Sequence, residues 1–258
     1  MELNLALVQM RIAPSDPILN MRRMEEFIRK AKAKGADLVI LPEDVICGPL
    51  NGQTAFVQHA SAYLARMQVL AHQYKVDLVP GPWTVAEAVL LYNQAVYLAS
   101  DGSVIGSYRK INLWETEKGA ITPGPAVSVF PSRFGKVGLI ICWDLAFPAM
   151  FAPMVAQGVE LIVSPTYWSF PPRANSVEDV REDEFLLIDS LCTARAFENN
   201  VLLAYCNAAG SIEVNGSTSL LSGRSQVTNP LDKAAVRSLG NKEESLVTKV
   251  ELTRQMLQ

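Results

Sequence analysis

Val137-Gly138-Leu139-Ile140-Ile141-Cys142-Trp143-Asp144-Leu145-Ala146-Phe147-Pro148 is the stretch on which the reading of the fold turns. Its first six residues carry no charge and no hydroxyl, so they read as a strand buried on both faces. Such a strand needs covering layers, which points to an α/β architecture. It presents a thiol, Cys142, at its carboxyl end, where open α/β sheets gather their chemistry. A thiol there is a candidate nucleophile. On its own, a strand-end cysteine reads more often as core, because cysteine is among the most buried residue types.

Outward from this strand, apolar runs alternate with helical patterns. Leu3 to Met10, Asp37 to Leu41, Asp77 to Pro82, Glu160 to Ser164 and Val201 to Cys206 read as strands. Asn20 to Lys34, Ala60 to Gln73, Ala149 to Gln157 and Glu182 to Asn199 read as helices. Leu90 to Ala99 and Val104 to Lys110 flank Ser100-Asp101-Gly102-Ser103, a hairpin signal. A Gly/Pro-rich loop spans Trp114 to Pro125, and from Thr218 to Leu252 the pattern is mainly β. No linker, charge block or repeat divides the 258 residues, so residues 1–258 are expected to form a single α/β domain, with two sheets faced by helices burying its many apolar strands.

Composition narrows the function. A net charge of −3 gives no basic excess for phosphate backbones, so nucleic acid is not an expected partner. No apolar stretch reaches the ~20 residues that span a bilayer. Met1 to Met10 reads as a strand, not a signal peptide, so a cytoplasmic location and no membrane partner are expected. Cys47, Cys142, Cys192 and Cys206 lie far apart, and His59 and His72 are the only histidines. Neither a disulfide framework nor a metal site is expected.

Three polar residues follow apolar strands: Glu43, Lys110 and Cys142. A thiol needs a base to become a thiolate, a desolvated carboxylate is able to serve as one, and an ammonium stabilises an oxyanion. The backbone N–H of Trp143, just past the thiol, is a candidate second oxyanion donor. Read singly, Glu43 also suits a helix cap, and Lys110 a solvated strand end. The combination carries the argument.

Leu41-Pro42-Glu43, Tyr108-Arg109-Lys110-Ile111-Asn112-Leu113 and Ile141 to Pro148 resemble, in order and separation, the three signature blocks of the nitrilase superfamily of carbon–nitrogen hydrolases. Similarity continues at Gln9, at Arg195-Ala196-Phe197-Glu198-Asn199-Asn200 and at Gly223-Arg224-Ser225, and so covers nearly the whole chain. The resemblance implies a four-layer α-β-β-α sandwich with two mixed sheets. It also implies a triad with Glu43 as general base, Lys110 as oxyanion stabiliser and Cys142 as nucleophile, acting through a thioester and without a cofactor. Glu117, ahead of Thr122-Pro123-Gly124, resembles the family's second glutamate, with Glu115 as the competing position and an exposed loop carboxylate as the alternative. Two departures stand out: relatives often carry arginine where Ala146 stands and glutamate where Ala149 stands.

Within the family, true nitrilases tend to be longer and to carry Glu after the Cys-Trp pair. Asp144 and the chain length therefore resemble the amidase branches, and a small linear carboxamide is the expected substrate. Nitrile or N-carbamoyl hydrolysis on the same triad is the alternative, and a non-catalytic scaffold is another. Tyr167, Trp168 and Arg173 are candidate substrate contacts; the aromatic loop they belong to also suits lid packing or a subunit contact, and Arg173 a solvated position. A homodimer or higher homo-oligomer, built through Ala149–Gln157, Glu182–Asn199 and the chain's tail, is implied by the family. A Ser-His-Asp hydrolase would need a G-x-S-x-G elbow, and none is present.

Overall fold

The computed structural model describes residues 2–49, 54–170, 177–214, 217–231, 233–238 and 240–252. The chain begins with β1 (Glu2–Gln9), α1 (Pro17–Ala33), β2 (Leu38–Ile40), α2 (Ala60–Tyr74), β3 (Asp77–Val79), β4 (Trp83–Glu87), β5 (Leu90–Leu98) and β6 (Val104–Arg109). Then come β7 (Ser128–Ser132), β8 (Gly135–Leu139), α3 (Phe151–Ala156), β9 (Leu161–Thr166), α4 (Val177–Asn199) and β10 (Leu202–Asn207). The remaining strands are β11 (Ser211–Val214), β12 (Ser217–Leu220), β13 (Gln226–Asn229), β14 (Lys233–Arg237) and β15 (Glu244–Glu251).

Two mixed sheets organise most of these elements, while β11 and β12 pair with each other as a separate antiparallel hairpin. The first runs β15-β1-β2-β3-β5-β4, with β6 also on β5, and the second runs β14-β13-β10-β9-β8-β7. In each, three parallel strands form the middle: β1, β2 and β3 in one, β8, β9 and β10 in the other. Antiparallel strands flank them.

The alternation of side chains along a strand makes the layers. In the first sheet Leu3, Leu5, Leu7, Leu38, Ile40, Ala95 and Tyr97 join the core shared with the second sheet. Their neighbours Ala6, Val8, Val39, Val96 and Leu98 pack with Met24 and Ile28 of α1 and Met67 and Leu70 of α2. On the second sheet's side, Phe151 and Met154 of α3 and Ile188, Cys192 and Ala196 of α4 belong to the same core. The result is the four-layer α-β-β-α sandwich.

Several expected boundaries shift. α1 starts at Pro17, three residues before the expected start, because the Asp16 side chain caps it by accepting from the Leu19 N–H and Pro17 suits the first turn. β7 was not foreseen. It carries Pro131, which a strand tolerates at a sheet edge, and β7 is the edge. β4, an antiparallel partner of β5, was likewise not foreseen. α4 starts at Val177, before the expected Glu182. The strand expected to run to Cys142 leaves its ladder earlier. The Ile140 N–H still reaches the Val163 carbonyl at 3.0 Å, but the Ile141 N–H is taken by the Asp144 side chain at 2.9 Å. The chain then turns, and Cys142 opens a 3-10 turn, Cys142–Ala146.

On the segments expected to meet a second subunit, Val155, Leu186, Leu187 and Phe197 are exposed. Of the tail expected to form an edge strand or a partner contact, Glu251 to Gln258, Glu251 ends β15 and Leu252 is buried in this chain, while residues 253–258 lie outside the described residues. No helix among the described residues is long and apolar enough to cross a membrane.

Candidate active site

Glu43, Lys110 and Cys142 come from different strands and meet where the two sheets face each other. Glu43 follows β2 by three residues and is 3% exposed. Its backbone N–H reaches across to the Thr166 carbonyl at the end of β9, 3.2 Å away. One carboxylate oxygen, Oε1, accepts from Lys110 Nζ at 2.9 Å and from Asn93 Nδ2 at 2.8 Å. The other, Oε2, accepts from the Tyr167 backbone N–H at 2.9 Å. The carboxylate is thus held by both sheets and caps no helix.

Lys110 is the residue after β6, and it is buried, not solvated. Its N–H continues the ladder to the Asn93 carbonyl at 2.9 Å. Its ammonium binds Glu43 and, at 2.8 Å, Glu117 Oε2. Gly124 brings the loop back onto this strand end, donating to the Lys110 carbonyl at 2.8 Å. A Cβ at Gly124 would stand 2.1 Å from the Arg109 carbonyl oxygen, so only glycine allows this approach.

Glu117, not Glu115, enters the site. Its Oε1 accepts from Asn93 Nδ2 at 2.9 Å and its Oε2 from the Trp114 N–H at 2.7 Å. Glu115 pairs with Lys118 on the surface. Asn93, which the sequence reading missed, therefore bridges Glu43 and Glu117. No signal in the sequence separates it from Gln94, since both faces of this strand are apolar; in the structure Asn93 shares a face with Ala95 and Tyr97, both buried in the inter-sheet core. A polar residue on that face has no solvent to explain it.

Cys142 has φ +48°, a left-handed conformation that a residue with a Cβ adopts only where its surroundings impose it. Asp144 imposes it. Fully buried, it accepts from the Ile141 N–H, from the Tyr108 hydroxyl at 2.7 Å, and from the Asn112 N–H and side-chain amide at 2.8 and 2.9 Å. The turn carrying Cys142 is thereby tied to the segment carrying Lys110. From the other side, Arg195 of α4 donates to the Leu145 and Ala146 carbonyls at 3.1 and 3.3 Å. The Cys142 thiol lies 3.8 Å from the Tyr167 carbonyl oxygen. Trp143, at the first turn of this short helix, has its N–H among the end groups that a helix does not itself satisfy. Its ring packs edge-on against Trp114 and Phe147 and tilts against Trp168.

The expected substrate contacts divide. Tyr167 is in the centre through its backbone, while its buried hydroxyl has no hydrogen-bond partner among the described residues. Trp168 has its indole N–H on Glu184 of α4 and its backbone N–H on Asn207, so only its ring is available as a wall. Asn207 knots the Trp168, Ser222 and Gly223 segments together. Arg173 and the Pro171-Pro172 segment lie outside the described residues.

Electrostatics follow from two carboxylates sharing one ammonium in a dry site. Burial pushes Glu43 above the usual carboxylate range, against the pull of Lys110. Burial pushes the Cys142 thiol up as well, and the Glu43 charge adds to it, so the resting sulfur is a thiol. For Lys110 burial acts downward, but the charges of Glu43 and Glu117 prevail and hold it firmly protonated. Asp44, with φ +56°, is also pushed up by burial and by Glu43 and Glu117. Among the described residues no cluster of His, Cys, Asp and Glu is arranged to hold a metal ion.

Comparison with known proteins places this arrangement. Residues 4–258 match the family model described as carbon-nitrogen hydrolase. A nitrilase of Pyrococcus abyssi is 29% identical over 255 residues, covering 96% of this chain and 88% of that protein. Omega-amidase NIT2 of Homo sapiens is 28% identical over 199 residues, covering 68% of this chain and 70% of that protein. Among solved structures, a glutamate-to-glutamine mutant of the amidase of Nesterenkonia sp. AN1, with the acetamide moiety of fluoroacetamide added covalently at its active-site cysteine, superposes with a TM-score of 0.81. It is 25% identical, over 96% of this chain and 90% of that one. The chain belongs to the carbon-nitrogen hydrolase family, within the nitrilase superfamily.

Proposed function

We propose that this protein hydrolyses a small linear carboxamide to the acid and ammonia through a thioester on Cys142. The observation that carries the reading is the buried cluster in which Glu43, Glu117 and Asn93 surround the Lys110 ammonium beside a thiol held at positive φ. In the first half-reaction Glu43 takes the Cys142 proton as sulfur bonds to the amide carbon. Attack and deprotonation proceed together, because burial disfavours a free thiolate. The carbonyl oxygen gains charge opposite the Lys110 ammonium and the Trp143 N–H. Collapse breaks the C–N bond, and Glu43 returns the proton to the departing nitrogen as ammonia. In the second half-reaction Glu43 takes a proton from water, whose oxygen attacks the thioester carbon. Collapse expels the sulfur, Glu43 reprotonates it, and the acid leaves. A carboxylate with a raised pKa suits a group that must both accept and give the same proton. Glu117 positions Lys110 through its 2.8 Å contact.

The amide preference rests on Asp144 and on the likeness to an omega-amidase and to an amidase structure. The nitrilase relative supports nitriles as the second class to examine. Ammonia release from a panel of small amides, ω-amido acids, N-carbamoyl compounds and nitriles tests this, with Cys142→Ala alongside. We expect release from amides by the native protein and none by the variant. Release from nitriles alone would replace the amide reading, and silence across the panel would favour a scaffold that has kept the fold without the activity.

A further inference from the structure

We propose that Asn93 is a positioning residue that keeps Glu43 a base, by giving one amide hydrogen to Glu43 and the other to Glu117 so that Glu43 stays ionised beside its carboxylate neighbour. This inference rests on the reading of Glu43 as general base. The geometry is direct. Asn93 Nδ2 lies 2.8 Å from Glu43 Oε1 and 2.9 Å from Glu117 Oε1, while Lys110 Nζ takes Glu43 Oε1 and Glu117 Oε2. Both partners of the amide are carboxylate oxygens, so the NH2 group must face them and the carbonyl must face away. That carbonyl, Asn93 Oδ1, is buried without a partner among the described residues. An apolar residue of the same size would avoid the orphaned acceptor, so what the amide contributes here lies in its two donors.

The chemistry at stake is a carboxylate pair. The groups facing Glu43 are Lys110 at the end of β6, Glu117 from the loop beyond it, Asn93 on β5, the Tyr167 N–H at the end of β9, Asp44 beside it in the chain and Cys142 on the nucleophile turn. Glu43, buried, and Glu117, partly exposed, surround one ammonium and carry an excess negative charge, and the ordinary relief is for the buried Glu43 to take up a proton. A Glu43 that holds that proton is unable to accept another from Cys142. Each amide hydrogen stabilises the ionised form of the carboxylate it meets, which pulls Glu43 down against burial. Asn93 also receives the Lys110 N–H on its backbone carbonyl, but any residue supplies that bond, so a side-chain substitution separates the two contributions.

Asn93→Leu removes both donors at nearly constant volume, and Asn93→Asp keeps the shape while exchanging the donors for a third carboxylate. The second variant covers a folding failure of the first. Two profiles are measured from about pH 5 to about pH 9: kcat/KM for ammonia release, and the rate of Cys142 alkylation by iodoacetamide read on its peptide by mass spectrometry. We expect the acid limb of both profiles to move up by about one pH unit in Asn93→Leu and further in Asn93→Asp, with KM nearly unchanged and the rate recovering at high pH. A rate loss that is the same at every pH, in a variant with native circular dichroism, would show a merely structural role and overturn the proposal. Alkylation needs no substrate, so a shifted alkylation limb together with no ammonia from any amide would retain Asn93 and discard the amide. An alkylation limb that survives Glu43→Gln would discard Glu43 as the base.

Discussion

Glu43 sits where its own charge is unwelcome, and this makes its removal informative. Burial raises its pKa above the ordinary value of 4.5 despite Lys110. Between that value and the raised one, the folded chain holds more proton at this site than the unfolded chain does. Stability from this group is therefore fully present at low pH and falls as pH rises through the raised pKa. Glu43→Gln is isosteric and neutral and leaves Lys110 paired with Glu117, but one of the two accepting oxygens becomes an NH2 donor. That substitution adds a pH-independent cost of about 1–3 kcal/mol. We expect the variant to lose activity, and its stability relative to the native protein to rise with pH across that window and then level. Urea midpoints of both proteins from acid to mildly alkaline pH check this, and a difference that stays flat or shrinks as pH rises would refute it. Glu43, Lys110 and Cys142 were legible in the sequence because each is a polar group placed just past an apolar run. Asn93 was not, because it lies inside a strand next to Gln94, and telling an inward from an outward polar residue required the parity that only the sheet register supplies.

At the scale of the element, the decisive piece is the short turn Cys142–Ala146, whose first residue the sequence presented as the end of a strand. What sequence periodicity does not convey is the capture of the Ile141 N–H by a side chain three residues on. That single bond ends the ladder and, with the Tyr108 and Asn112 bonds, fixes the thiol against the lysine segment. Asp144→Ala would leave the Ile141 and Asn112 N–H groups and the Tyr108 hydroxyl without their acceptor, at about 1–3 kcal/mol for each buried group left unpaired. Partial rearrangement trims the sum, so we expect a loss of about 3 kcal/mol and a fall in Tm of roughly 6–12 °C. Activity should drop more than tenfold at temperatures where the variant is fully folded, through kcat more than through KM, because the thiol and not the pocket is displaced. Asp144→Asn, which retains one oxygen acceptor, should recover part of both. Unchanged kcat in folded Asp144→Ala would mean that Arg195, bound to the Leu145 and Ala146 carbonyls, suffices to hold the turn.

At the scale of the molecule, the layered architecture was legible because strands buried on both faces demand covering layers, whereas the division of strands between two sheets was not written in any local pattern. The site depends on that division. Glu43 and Lys110 hang from the first sheet, while Cys142 and Tyr167 hang from the second. The sheets are joined there by the Glu43 N–H to Thr166 bond and the Tyr167 N–H to Glu43 bond. Deeper in, the Cys206 thiol of β10 lies 3.3 Å from the Ile40 carbonyl oxygen and 3.5 Å from that of Val8. If residues 1–258 are one cooperative domain, as we propose, no sheet opens while the other stays folded. Cys206 and Cys192, both fully buried in the same core, then become accessible only in global unfolding. In a urea series we expect enzymatic activity, near-UV circular dichroism and the labelling of these two cysteines by a neutral thiol reagent to share one midpoint. Cys192, on α4, and Cys206, inside the second sheet, should label at equal rates below that midpoint once corrected for intrinsic thiol reactivity. Labelling of Cys192 well before activity is lost would show α4 opening as a separate unit, and labelling of Cys206 before the loss of near-UV signal would show the sheets parting first; either result would break the single-domain reading.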